Sequence, residues 1–362
     1  DTIAGLKGAG SVDLNGNELT ISQAASTEST FNGIISGTGT GSDLRKAGTG
    51  TLIFSGSNTY DGETFIDAGT LKISGDLNYK IIDIDDSATL EVDTSGGSQI
   101  YDGVISGFGG FRKVGANELQ LDGDSTSTFT GTTTVNGGSL YVLGGLTESG
   151  NIVLEDGFLE LGTSTSLGSS YSGTISFDGG LFKHGLAKDF SAQYSTADNQ
   201  QYKIEVLNSS GGSRSYATAL TSQGGSLELQ GGNLVLDGAN SYTGETKIYG
   251  GSLTVNGSLS DSTVVDVQSG SYRLGSTDTI AGLKGTGSVD LNGNELVVNQ
   301  TASQVTFGGS MSGSATGSNF RKQGLGTFVL SGSSNTYSGN TFIDAGTFQV
   351  TGALADTALS VS

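Results

Sequence analysis

Residues 48–75 read GTGTLIFSGSNTYDGETFIDAGTLKISG. Apolar side chains alternate within this stretch as Leu52-x-Phe54, Thr64-x-Ile66 and Leu71-x-Ile73. A period of two marks strands with one buried face. The pairs SG, DG and AG that separate them are turn signals, because glycine supplies the corners that other residues resist. A close relative, GLGTFVLSGSSNTYSGNTFIDAGTFQVTG, spans 324–352.

Aligning the glycines gives four copies of one unit, at about 46–75, 113–144, 228–257 and 322–352. The aromatic before the turn glycine is Tyr60, Phe129, Tyr242 and Tyr337 in turn. A longer period lies over these copies. DTIAGLKGAGSVDLNGNEL at 1–19 returns at 278–296 with Ala9 replaced by Thr286. The chain therefore reads as one long period, 1–277, and the start of the next at 278. It begins in mid-pattern, which reads as a fragment of a longer protein.

Composition points the same way. The 362 residues include 62 Gly and no Pro, Cys or Trp. Proline cannot donate to a β-ladder, and disordered glycine-rich chains are normally rich in it, so its absence favours dense strands and tight turns. Without cysteine there is no disulfide and no thiolate metal site. The net charge of −20 argues against nucleic acid, whose binding rests on Lys and Arg neutralising phosphate. No apolar run is long enough to span a membrane as a helix.

Short strands with one apolar face must bury that face. Stacking them coil on coil does so over any length. The expected fold is all-β: a right-handed parallel β-helix, or β-solenoid, continuous over 1–362, with coils of roughly 20 residues. The aligned aromatics lie 69, 113 and 95 residues apart, several coils each. Asn58, Asn240 and Asn335 are therefore not expected to form one ladder.

At this point the residues resemble a known family. Lys46 to Gly75 is similar to the autotransporter-associated β-strand repeat, also called the passenger-associated transport repeat, of type V secretion. The pattern runs K-x-G-x-G-x-L-x-L-x-G-x-N-T-Y-x-G-x-T-x-I-x-x-G-T-L. The fourth copy fits from Lys322 to Gly352 with one extra Ser near Ser334. The second departs at GDSTSTFTG (123–131), and the third at Glu228, where the pattern has Lys. The polar stretch 177–220 resembles the segment that often precedes this repeat.

The resemblance implies a passenger secreted to the surface of a Gram-negative bacterium, anchored through a C-terminal β-barrel that lies outside this sequence. Lack of Cys fits a chain that crosses the outer membrane unfolded. Such passengers are often non-enzymatic adhesins or self-association stalks that promote autoaggregation and biofilm. Their partners are copies of themselves on neighbouring cells, or host-surface and matrix molecules. The alternatives are an inert spacer presenting a distal effector, a released toxin or signalling passenger and, last, a β-helical polysaccharide-degrading enzyme.

No residue is assigned as catalytic, cofactor-binding or metal-ligating, and no cofactor is expected. The one histidine, His184, lies in LFKHGLAKDF with no G-x-S-x-G elbow near any serine, and is expected outward on a turn. Asp83, Asp85, Asp86, Glu91 and Asp93 are expected to form a solvated acidic face; calcium ligation or acid–base work would need them to converge. The pairs Arg45-Lys46, Arg112-Lys113 and Arg321-Lys322 are expected to neutralise nearby carboxylates. The aligned aromatics are expected to pack over the coil corner. Tyr194, Tyr202 and Tyr216, in the polar stretch, mark the part expected to reach outward for contacts if any does.

Overall fold

The computed structural model describes all residues except 78, 79, 123–128, 145, 147–149, 163–166, 168–170, 186, 187, 208–210, 302, 355, 356 and 362. The part of the second copy that departs from the pattern, 123–128, thus lies outside the described residues. Over the described residues the fold is all-β, with strands stacked in parallel as a β-solenoid of about 17 turns. Among the described residues the one helical piece is a 3-10 turn at Ser191–Gln193. No helix among the described residues is long and apolar enough to cross a membrane. Two compact units divide the chain, residues 1–183 and 184–362.

In the first unit one sheet stacks Thr2–Ile3, Leu19–Ser22, Leu44–Ala47, Thr64–Ile66, Ile81–Ile84 and Val104–Gly107. One inward column runs through it: Ile3, Ile21, Lys46, Ile66, Ile84 and Gly107. The steps along the column are 18, 25, 20, 18 and 23 residues, so coil length varies although the ladder stays parallel. A second stack holds Thr51–Phe54, Gly69–Ile73, Ala88–Asp93 and Gly110–Val114. Inward residues alternate with outward ones along each strand, and Leu52, Phe54, Leu71, Ile73, Leu90 and Val92 are fully buried. Burial of one face per strand is what the alternation encodes, at about 25 cal/mol for each Å² of apolar surface removed from water.

The second unit repeats the plan. One stack runs through Asp278–Ile280, Glu295–Asn299, Asn319–Gln323 and Thr341–Ile343. Another runs through Ser226–Gly231, Thr246–Ile248, Val264–Val267, Gly282–Gly285, Gln304–Phe307 and Thr327–Leu330.

One repeat position needs glycine on two counts. Gly69, Gly138, Gly251 and Gly346 take φ of 68°, 59°, 71° and 72°. A Cβ there would lie 2.4, 2.4, 1.8 and 2.4 Å from a carbonyl oxygen of the coil before. Any side chain would both strain the backbone and push two coils apart.

The copies are not aligned within a unit. The first strand of copy two, Gly110–Val114, lies in the stack that holds the second strand of copy one, Thr51–Phe54. The second strand of copy four, Thr327–Leu330, lies in the stack that holds the first strand of copy three, Ser226–Gly231. Each pair of copies is turned by one face, so the outward residues of the repeat do not line up as a single stripe.

Candidate functional site: the repeat and its outward faces

The Arg-Lys pair splits between two environments, which corrects the expectation that both residues neutralise carboxylates. In a strand, neighbours point to opposite faces. Arg45 is outward, and Lys46 is inward in a column of isoleucines and fully buried. Lys46 Nζ donates to the carbonyls of Ala47 (3.2 Å), Gly48 (2.7 Å) and Ala68 (2.8 Å). Lys113 does the same to Val114, Gly115 and Gly137, and Lys322 to Gln323, Gly324 and Ala345. Three donors meet three carbonyls of two successive coils, the full capacity of an ammonium group. Burial pushes Lys46 and Lys113 down to about 8, with a nearby Asp opposing it in each case. The carbonyl acceptors also favour the charged form.

The third copy shows what the lysine is for. The sequence alignment puts Glu228 in the lysine's place, and the register corrects it: Leu229, not Glu228, pairs with Ile248 as Lys46 pairs with Ile66. Glu228 takes the outward position of Arg45. From Leu229 to Leu234 is five residues, whereas Lys46 to Leu52, Lys113 to Leu119 and Lys322 to Phe328 are each six. The longer corner turns carbonyls inward and the lysine satisfies them. In the shorter corner the position is an ordinary aliphatic one.

The asparagine and tyrosine of the motif also face inward. Asn240 Oδ1 accepts from the Leu220 N–H of the coil before (2.9 Å), and its amide donates to Ser258 O of the coil after (3.0 Å) and to Gly238 O (2.8 Å). Asn335 joins Met311, Ala353 and Gly332 in the same way. Asn58 Oδ1 accepts from Ile35 N–H at 2.9 Å. Each asparagine splices its own coils. Tyr60, Tyr242 and Tyr337 are buried, with hydroxyls against Thr64, Thr246 and Thr341 at 2.6, 2.5 and 2.5 Å. They are packed over the coil corner, as expected.

Outward, charge alternates from coil to coil. Arg45 bridges Glu18 of the previous coil (3.3 Å) and Asp67 of the next (2.6 Å), with its guanidinium over Phe65. Arg321 repeats this with Glu295, Asp344 and Phe342. Arg112 reaches Glu91 and Glu155. These arginines do neutralise carboxylates. The longest alternation is in the second unit, where Lys203, Glu228, Lys247, Asp266 and Lys284 follow one another in register. Glu245 pairs with both Lys247 and Lys284.

The acidic run of the first unit does not converge. Glu91 and Asp93 bind Lys72 at 3.0 and 2.8 Å, which holds Asp93 at about 2 against the effect of its burial. Asp85 and Asp86 are exposed at the following turn, beyond the strand that carries Asp83. Among the described residues no group of three or more His, Asp or Glu side chains is placed to hold a metal ion.

The polar stretch is a second correction. His184 is 1% exposed, not outward on a turn. The alternation Phe182-x-His184 already gave it inward parity. Its Nδ1 lies 2.9 Å from Gly185 O and its Nε2 2.5 Å from the hydroxyl of Tyr216, which is 2.7 Å from that of Tyr194. Burial pushes the imidazole down to about 4. A neutral ring whose Nδ1–H donates to Gly185 O and whose Nε2 accepts from Tyr216 satisfies both contacts. Tyr194, Tyr202 and Tyr216 are buried too, so they are not the outward contact residues expected of them. The ring nitrogens face a tyrosine and a main-chain carbonyl, an arrangement that fills a coil interior and offers no serine a base.

With this geometry in view, a family model described as the passenger-associated-transport-repeat matches residues 44–73, 111–142, 230–255 and 320–350. The chain carries four passenger-associated transport repeats. It is also 35% identical over 142 residues to the adhesin BmaC autotransporter of Brucella suis biovar 1 (strain 1330), a match covering 33% of this chain and 4% of that protein. The chain thus spans a small part of the length of the curated relative it matches. Together these findings support an autotransporter passenger domain. No solved structure matches the chain. In structural terms the repeat is a coil specification: its glycine, lysine, asparagine and tyrosine all serve stacking.

Proposed function

We propose that this chain is a segment of a surface-displayed autotransporter passenger of a Gram-negative bacterium, acting as a non-enzymatic adhesin or self-association stalk. The observation that carries the reading is its similarity to an autotransporter named as an adhesin. The outward faces carry rows of polar and charged side chains. Many weak contacts along such faces add up when two cells present many copies, because each contact after the first is made at high effective concentration. Autoaggregation and biofilm growth are the outcomes expected of self-association.

A second reading is a spacer that presents an effector elsewhere in the parent protein. It is favoured by one observation: the residues that define the repeat point inward and do structural work. A mixed settling assay separates the two. Cells displaying the chain on a carrier barrel are mixed with differently labelled displaying or bare cells. Clumping restricted to displaying cells supports self-association, and gain of binding to host cells or matrix supports adhesion. If neither changes, the adhesive reading of this segment fails and the spacer reading stands.

A further inference from the structure

Asp278 opens the second long period and is 2% exposed. Its position resembles that of the coil-splicing asparagines. As Asn240 Oδ1 accepts from Leu220 N–H of the coil before, Asp278 Oδ1 accepts from Leu259 N–H of the coil before at 3.1 Å. It also accepts from its neighbour Thr279 N–H at 3.1 Å. An asparagine would offer its NH₂ to a carbonyl. Asp278 instead places Oδ2 2.6 Å from the Tyr272 hydroxyl.

Among the described residues no cation faces the carboxylate. Tyr272 faces it from the preceding strand of its own coil and Tyr242 from further back in the stack, and Asp261 acts on it with like charge. Arg273, beside Tyr272, is turned outward to Asp290, and Glu295, next to its ladder partner Leu296, is turned outward to Arg321. Among the described residues the buried carboxylate is thus held by three hydrogen bonds and no ion pair.

We propose that Asp278 is an acid-responsive clasp, which holds the coil of Asp278–Ile280 more tightly to the coil before it when its carboxyl is protonated. The contacts survive protonation. Oδ1 still accepts from both N–H groups, and the 2.6 Å contact reverses, with the carboxyl hydroxyl donating to the Tyr272 oxygen. What disappears is the buried charge. Burial pushes Asp278 up to about 6, with the three hydrogen bonds opposing. A carboxyl whose folded value is raised loses stability as pH rises through the interval between its unfolded and folded values, so the clasp is tight in mild acid and loosened at neutral pH.

Amide exchange at Leu259 and Thr279, corrected for the intrinsic rate, reads the clasp locally. This matters because His184, in the same unit, loses stability over an overlapping range of pH and masks the effect in a global melt. Protection of both amides is expected to rise about tenfold from pH 7.5 to 5. In Asp278→Asn it is expected to be flat and already high at pH 7.5. Protection that stays level or falls in the wild type overturns the proposal, as does an equal rise in the variant. Should the variant not fold, the carboxyl ¹³C titration of Asp278 in the wild-type chain decides: a midpoint near 6 supports the clasp, and one below 4.5 overturns it.

Discussion

Among the described residues nothing meets the hydroxyl of Thr133, which lies four residues after Phe129. In copies one, three and four a tyrosine hydroxyl meets the threonine four residues on. In copy two the aromatic is Phe129, and Thr133 Oγ1 is buried with no hydrogen-bond partner among the described residues. One solenoid thus contains both the intact pair and its deletion.

Phe129→Tyr should therefore stabilise the chain by about 1 kcal/mol, the net worth of a buried hydrogen bond, because it supplies a partner that Thr133 lacks. Tyr242→Phe should cost about as much. Urea unfolding of the two variants beside the wild type measures both signs. A destabilising Phe129→Tyr would mean that the corner of copy two is too tight for the hydroxyl.

Buried splices should outweigh exposed ion pairs. Asn335→Ala removes partners from Met311 N–H, Gly332 O and Ala353 O inside the stack, where an unmet polar group costs ~1–3 kcal/mol. Arg45→Ala removes two ion pairs from a side chain that is about one-third exposed, where such pairs are worth ~0–1 kcal/mol. Unfolding midpoints should fall much further for Asn335→Ala. The Arg45 effect should shrink in 1 M salt and the Asn335 effect should not.

How far these features were legible in the sequence follows from their range. Alternation and turn glycines give strands, and repetition gives stacking, so the solenoid could be read directly. The inward parity of Lys46 could also have been read, since it shares a face with Leu44, but a lysine on an apolar face is easily taken for a surface residue. His184 was misplaced for the same reason. Glu228 was misassigned because a corner shortened by one residue shifts the alignment while the register stays fixed. The alternating row from Lys203 to Lys284 was not legible, because it depends on which residues lie one coil apart. Coil length varies from 18 to 25 residues in the first unit's inward column alone, and only the ladder fixes it.

His184 makes the second unit acid-sensitive in a defined direction. Its folded value, about 4, lies below the ordinary 6.5. The unfolded chain therefore takes up a proton that the folded one refuses, and stability is lost as pH falls from about 6.5 towards 4. His184→Gln keeps an acceptor for Tyr216 and a donor for Gly185 O but does not titrate. The variant should be less stable than the wild type at pH 7.5, and the gap should narrow or reverse by pH 4.5. A gap that is constant with pH would mean that the histidine is protonated in place.

The lysine and the corner length should behave as one unit. Lys46→Leu alone strands the carbonyls of Ala47, Gly48 and Ala68, at ~1–3 kcal/mol for each one left without water. Deleting Thr49 alone shortens the corner to the five-residue spacing of copy three but leaves an ammonium group among isoleucines with its acceptors displaced. Both changes together reproduce the Leu229 to Leu234 arrangement. The double variant should then be more stable than the sum of the single effects allows, by a coupling within the ~0.5–3 kcal/mol range of residues that share partners. Additive losses would show that the corner closes without the lysine and that Lys46 is merely tolerated there.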